Sequence, residues 1–453
     1  MAQSNTLSQL DAAAKQIYKD ANYSEDLLKD RVLYGMLPKD TSYGGASSTG
    51  QSATVAGRGM PIVLKTYRSG AGGKTFADTQ NAAPYKEMKL EGFQFRHVND
   101  YGVFQVPGES LDIMRSAEFS FVSVLQECMD DIAEVMADRL EIFSYRTGAG
   151  GKAKVSSLSG EVVTLTNRLD AQNFELGELV EHSNGVQSTV TANKPVDSAA
   201  AETRVTEADH EITAIDIDAG KLTLVDASDV TGGNDGFLGS YGDLQSNGAL
   251  SVKISGLAAW CPTDETTGST ASELAVAIGS STDLFFGVNR STSYKLRGVY
   301  TDQSAVSRET ALIKAQAILG ERGGAPKNAI IPHDQYRALL EELGAKREYC
   351  DVNAMGERGL VANISYGGVF VHGISGAMKV TPAIHAPTAR AWLLNPDDHV
   401  LYSAGPAISL QDRDGLSILR KSTSDDYEGR FVFRGNLICR RPGRQAQVKL
   451  KAV

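Results

Sequence analysis

One amphipathic stretch limits what this chain can fold into more than any other. Between Glu109 and Ser144, the residues Val122, Leu125, Met129, Ile132, Met136, Leu140 and Phe143 recur at spacings of three and four, which sets them along one face of a helix. Taking Ser116 to Ser144 as continuous predicts a rod of roughly 40 Å at 1.5 Å per residue, long enough to cross a small domain. Such a spine needs a layer to lie on. The other face carries nine carboxylates (Glu109, Asp112, Glu118, Glu127, Asp130, Asp131, Glu134, Asp138, Glu141) against Arg115 and Arg139. That face is either solvated or receives something basic.

At 453 residues the chain exceeds one compact core, and the length predicts about three domains, or two with a large insertion. Met1 to Asp20 has no apolar run, and no window of about 18 apolar residues occurs, so neither a secretory signal nor a membrane span is expected. Cys128, Cys261, Cys350 and Cys439 form no Cys-x-x-Cys pair, which favours ordinary buried thiols over zinc or disulfides.

The net charge of −10 is unevenly spread. Residues 151–255 hold sixteen acids and seven bases, a balance of −9, so the rest of the chain sums to −1. Residues 413–453 hold ten bases and four acids, a balance of +6, and supply the expected basic partner for the acidic spine, in the same subunit or the next. A nucleic-acid groove is the rival reading, but only Tyr427, Phe431 and Phe433 interleave with those bases.

In chain order, residues 1–47 read as an arm with too few apolar residues to fold alone. Residues 48–106 read as a long hairpin: one strand from Ala53 to Tyr67 and another from Tyr85 to Val106, with a bulge at Gly92. Met88 and Leu90 fall on one side and Phe93 and Phe95 on the other. The Gly- and Ala-rich tip, Arg68 to Pro84, is expected to be mobile. A hairpin with no core of its own implies docking onto a neighbouring subunit.

After Gly148-Ala149-Gly150-Gly151-Lys152, read as a helix stop and flexible joint, the period changes from 3.6 to 2. Strands at Glu161–Thr166, Ser188–Ala192, Glu211–Ile217 and Lys221–Val225 predict a small β domain over 151–255, with a tight turn at Asp218-Ala219-Gly220. Residues 256–400 read as α/β. A helix capped by Ser307, a strand at Ala329–Ile331 and a helix through Leu339 to Leu343 lead to four short strands. Residues 401–453, ending in the long strand Gly429–Cys439, return to the spine segment 107–150.

No catalytic constellation emerges. Gly70-Ala71-Gly72-Gly73-Lys74-Thr75 imitates a phosphate loop, but G-x-x-x-x-G-K-[S/T] must open at position 68, where Arg68 stands. The seven histidines are dispersed, no Gly-x-Ser-x-Gly elbow occurs, and the aspartates between Asp216 and Asp235 form no calcium loop. No enzyme activity, cofactor or metal is expected.

The order of parts, together with Leu33-Tyr34-Gly35-Met36-Leu37-Pro38-Lys39-Asp40-Thr41-Ser42-Tyr43-Gly44-Gly45, Phe286-Gly287-Val288-Asn289-Arg290-Ser291, Tyr366-Gly367-Gly368-Val369, Pro406, Asp414-Gly415 and Tyr427-Glu428-Gly429-Arg430 with Gly435-Asn436-Leu437, resembles the major capsid proteins of tailed bacteriophages, the Hong Kong 97-like fold. That resemblance implies an α+β capsid fold with N-terminal arm, extended hairpin loop, spine-helix peripheral domain, axial α/β domain and the inserted β domain. It implies hexamers and pentamers closing an icosahedral virion shell around double-stranded DNA, assembled in the host cytoplasm. The partners it implies are a separate scaffolding protein, a portal, a decoration protein and loosely held packaged DNA, and no membrane. The expected intersubunit contacts are Lys65, Lys74, Met88, Leu90, Phe93, Phe95, Glu127, Asp131, Arg430, Arg434, Arg440 and Arg441. Some relatives join a hairpin lysine to a neighbour's asparagine, which here points to Lys65 or Lys74 with Asn436. An encapsulin-type nanocompartment is the alternative; a nucleotide enzyme using Gly70–Thr75 and a β-rich adhesin are remoter ones.

Overall fold

The computed structural model describes residues 28, 31–41, 60–65, 74–82, 90–95, 97–106, 120–148, 150–183, 210–225, 237–240, 253–263, 274, 285–343, 369–412, 418–421 and 425–453. Within them a mixed α+β architecture is built around one helix, α3 (Ser120–Ser144). Met129, Ala133, Met136, Ala137, Leu140 and Phe143 of α3 are buried and Ile132 packs against the same core, as the spacing of three and four requires. Glu127, Asp131 and Glu134 face out. Residues 107–119 and the side chains of Val122 and Leu125 lie outside the description.

Beneath α3 runs a sheet ordered β1 (Lys39–Asp40), β16 (His399–Ser403), β19 (Tyr427–Cys439) and β17 (Ser409–Leu410), with β4 (Val98–Val106) and β18 (Ile418–Arg420) also paired to β19. Strand β4 runs antiparallel to β19 from Val98↔Gly435 to Val106↔Tyr427. Period-2 alternation turns Phe104, Phe431 and Phe433 into the spine core. At Gly102 a side chain would come within 2.8 Å of both Ile132 and Met136, so the absent Cβ lets the helix lie close over the strand.

The described part of the arm is a layer of this core. Leu28, Leu33, Tyr34 and Leu37 are buried in it, the last three in or beside α1 (Val32–Met36), and β1 pairs in parallel with β16. The Tyr34 hydroxyl donates to the Leu140 carbonyl at 3.2 Å and hydrogen-bonds with the Ser144 hydroxyl. Burial pushes the Tyr34 phenol above its ordinary range.

A second sheet is ordered β11 (Val299–Asp302), β20 (Ala446–Lys449), β15 (Arg390–Leu394), β12 (Asn328–Pro332), β14 (Gly376–Ala383) and β13 (Val369–Gly373). Helices α4 (Arg308–Glu321) and α5 (His333–Glu342) cover one face, packing Leu312, Leu319 and Leu339 onto Ile331, Val380, Leu393 and Val448. The neighbours Ile330, Trp392 and Leu394 point the other way and join the spine core. Burial on both faces explains the unbroken apolar run Ala391-Trp392-Leu393-Leu394.

Two local expectations need correction here. Ser307 occupies the N-cap of α4 but its hydroxyl donates to Thr310 instead; the Glu342 carboxylate accepts from the Arg308 N–H at 2.8 Å and from its guanidinium at 2.6 Å. Strand β20 lies between β11 and β15, so the C-terminal stretch does not all return to the spine.

Between α3 and the second sheet the chain makes a closed six-stranded barrel, ordered β10 (Phe237–Ser240), β5 (Ala153–Ser159), β6 (Val162–Leu165), β9 (Lys221–Leu224), β8 (His210–Asp216) and β7 (Leu179–Ser183). Its core is Val155, Val163, Leu165, Phe174, Val180, Ile212, Leu222, Leu224 and Leu238 with small alanines. In the β8–β9 turn the Asp216 carboxylate accepts from the Ala219 N–H at 2.9 Å. Gly220 has φ +63 with the Arg168 backbone 2.5 Å from where a Cβ would sit, so only glycine fits. The expected strand Ser188–Ala192 lies outside the described residues.

The segment read as a flexible joint is instead buried at Gly148 and Gly150–Lys152. Arg146 and Asp170 form a buried ion pair at 3.2 Å, Lys152 meets Glu178 at 2.6 Å, and the Lys152 N–H donates to the Leu238 carbonyl at 2.7 Å. The barrel is therefore clamped to the end of the spine. Burial raises the Asp170 carboxyl above its ordinary range even with Arg146 beside it.

Candidate assembly surfaces

The hairpin pairs β2 (Met60–Lys65) with β3 (Leu90–Phe95) from Met60↔Phe95 to Lys65↔Leu90 without a register shift. The bulge expected at Gly92 is absent, because alternation alone already sets Leu90 and Phe93 on opposite faces. Strand β4 is a separate element that pairs with β19, so the expected strand from Tyr85 to Val106 is divided.

Phe93 and Phe95 are fully buried in their own subunit, which corrects their assignment to a neighbour. Phe93 meets Trp260 edge-on at 5.5 Å, Phe95 meets Phe286 at 4.8 Å, and Phe285, Val288, Val400 and Ile438 complete the cluster. Each buried aromatic removes about 150–250 Å² from water, and T-shaped pairs add about 0.5–1.5 kcal/mol. Phe286 has φ +48 in the turn bridged by Phe285 and Val288, a conformation that this packing must hold in place.

The same ribbon turns a different face outward. Val63 and Leu90 are about half exposed, and Phe76, on the short helix α2 (Phe76–Ala82) within the expected mobile tip, is 82% exposed. Lys74 is exposed just ahead of α2, and Lys65 holds the register position opposite Leu90; the Lys65 side chain and Met88 lie outside the described residues.

A helix does follow Gly-Lys-Thr, but Thr75 and Asp78 cap it: the Asp78 N–H donates to Thr75 Oγ1 at 3.2 Å and that hydroxyl donates to the Asp78 carboxylate at 2.7 Å. The Asp78 carboxylate stands at the helix start that a bound phosphate would need.

Among the described residues, the ion pairs of the basic C-terminal residues are made away from the acidic spine face. Arg430 and Arg434 alternate with the core residues Phe431 and Phe433 and therefore lie on the sheet face away from α3. Arg430 donates to Glu428 at 2.9 Å, Arg440 to the Tyr402 hydroxyl at 2.7 Å, and Arg441 pairs with Asp398 at 3.5 Å. Asp138 of the spine pairs instead with Arg31 of the arm at 2.7 Å and lies 3.4 Å from His385. Asp100 on β4 is held by Lys253 at 2.8 Å and Arg139 at 3.1 Å. Burial opposes its charge, but these two cations outweigh that and hold its carboxyl below the usual range.

Tyr101 and Val103, on the face of β4 away from α3, are nearly half exposed and continue the outward surface beside Arg430. Asn436 is buried, its Oδ1 accepting from the Ser255 and Leu437 N–H groups at 3.0 and 2.9 Å, so it presents no amide to a neighbour's lysine. No group of three His, Cys, Asp or Glu side chains is placed to hold a metal among the described residues, and no helix there is long and apolar enough to cross a membrane.

Neither protein-family models nor curated proteins match this chain. Solved structures do. A chain of the cyanophage A-1(L) capsid matches at 10% identity and TM-score 0.41 over 86% of this chain and 87% of that one. A chain of the satellite phage P4 procapsid with its size determination protein matches at 10% identity and TM-score 0.37, over 94% and 89%. Both of these structures come from phage capsids. The holo-SrpI encapsulin complex of Synechococcus elongatus matches at 9% identity and TM-score 0.23, over 33% of this chain and 52% of that one.

Proposed function

We propose that the chain is a major capsid protein, a structural rather than catalytic molecule, which assembles as hexamers and pentamers into an icosahedral shell enclosing the double-stranded DNA of a tailed phage. The observation that carries this reading is the hairpin: its root is anchored by Phe93 and Phe95, while Val63, Leu90 and Phe76 carry apolar surface outward from the subunit. An anchored ribbon with an apolar outer half is suited to lie on another copy, where the exposed Tyr101 and Val103 offer a matching patch. Residues 107–150 with much of 401–453 act as the peripheral part, 256–400 as the axial part, and 151–255 as the insertion. A scaffolding protein, a portal, a decoration protein and loosely held DNA are the partners that go with this reading, as does assembly in the host cytoplasm. The chain's overall acidity suits a wall that must not grip its DNA, since counterion-release affinity needs a basic groove.

The test is a Val63→Asp, Phe76→Asp double variant. The reading predicts that it folds with unchanged thermal stability and forms no particles under conditions in which the wild type does. Particles of unchanged yield would refute the hairpin's role.

A further inference from the structure

We propose that His385 is a proton-operated latch that pins the spine helix to the barrel. It sits just after β14, largely buried, with Nε2 3.4 Å from Asp138 Oδ1 on α3 and Nδ1 3.2 Å from Asn173 Oδ1 in the helical turn of the barrel. The orientation of Asn173 is set by its surroundings: its Nδ2 faces the Lys152 carbonyl and Asp170 Oδ1, both acceptors, at 3.5 Å each. Both imidazole nitrogens therefore meet acceptors. Only the imidazolium carries an N–H on each nitrogen, so a neutral ring must give up one of the two contacts.

The charged groups around the ring come from every element that meets there. The spine contributes Asp138 and the buried Glu141, whose carboxyl burial raises above its ordinary range against the pull of His385 and Arg31. The arm contributes Arg31, paired with Asp138 at 2.7 Å. The barrel contributes Asp170, paired with Arg146 behind Asn173, and Glu175, whose carboxyl is raised by burial and by Glu178, Asp131 and Asp138 against the pull of Lys152. A positive His385 offsets this excess of carboxylates. Next to it, Gln172 donates to the Ile384 carbonyl at 2.5 Å, a bond indifferent to pH, so loss of the proton loosens the seam without parting it. The latch belongs to the single subunit and does not depend on assembly.

Hydrogen exchange on the full chain tests this, following amides in residues 136–147 and 170–183 at about pH 6 and about pH 8, corrected for intrinsic rates, with residues 308–321 of α4 as the control. The wild type is expected to lose protection in the first two segments by about tenfold at the higher pH, the size of one charged hydrogen bond. His385→Gln is expected to be loose at both values and His385→Lys, always charged, protected at both. Equal wild-type protection at the two pH values would overturn the proposal, and so would an unchanged pH response in His385→Gln. The wild-type comparison decides the matter even if a variant fails to fold.

Discussion

Two single residues show how little room the spine core leaves. At Gly256 a Cβ would lie 2.3–2.5 Å from the carbonyl oxygens of Ser144, Phe143 and Arg146, all backbone atoms that cannot swing aside. Gly256→Ala is therefore expected to cost about 3 kcal/mol or more, measurable as a lowered denaturation midpoint. Asp100 is the second. Asp100→Asn leaves Lys253 and Arg139 without their carboxylate in a buried site, for an expected loss of about 3–5 kcal/mol. Because the fold holds Asp100 charged, the unfolded chain takes up that proton first, near the ordinary 3.8. The stability it contributes is present above that pH and is lost as the pH falls further through the depressed folded value. The wild type should lose stability in acid more steeply than Asp100→Asn, as urea titrations at stepped pH would show. Neither site is legible in the sequence. Gly256 meets carbonyls more than a hundred residues away, and Asp100 meets cations 39 and 153 residues along the chain, approaches that no local pattern encodes.

At the scale of elements, the sequence was most readable where a period persists. From Met129 to Leu140, α3 keeps its apolar spacing because one face stays against one core. The barrel strands alternate because one side of each faces a single small core. Readability failed where pairing is non-local: β20 inserts between strands from elsewhere in the chain, and the α4 cap comes from Glu342 on another helix. The hairpin joins both cases. Leu90 and Phe93 do lie on opposite faces, by plain alternation and not through the expected bulge, yet the partner that buries Phe93 is Trp260, far along the chain, so those aromatics looked free to contact a neighbour. Phe93→Ala is expected to lower subunit stability by about 3–5 kcal/mol, whereas Phe76→Ala, at the exposed start of α2, should change it by less than about 0.5 kcal/mol. Thermal denaturation of the two variants side by side separates the root of the ribbon from its outer half.

For the molecule as a whole, the division of charge has a structural meaning that its total does not convey. The exposed acids of the spine and the arginines Arg430 and Arg434 lie on opposite sides of one helix-on-sheet layer. They do not neutralise one another within a subunit, and Arg430 pairs with Glu428 on its own strand instead. The central claim is that copies of this chain close into a container, with the hairpin reaching across. The most direct test is particle mass and shape, by light scattering and negative-stain microscopy, of the chain expressed alone and with a scaffolding partner. Closed icosahedral shells, or capsomers that close when scaffold is added, are the predicted result, with packaged DNA separating a virion from a nanocompartment. A stable monomer under all these conditions, its hairpin resistant to protease, would contradict the account.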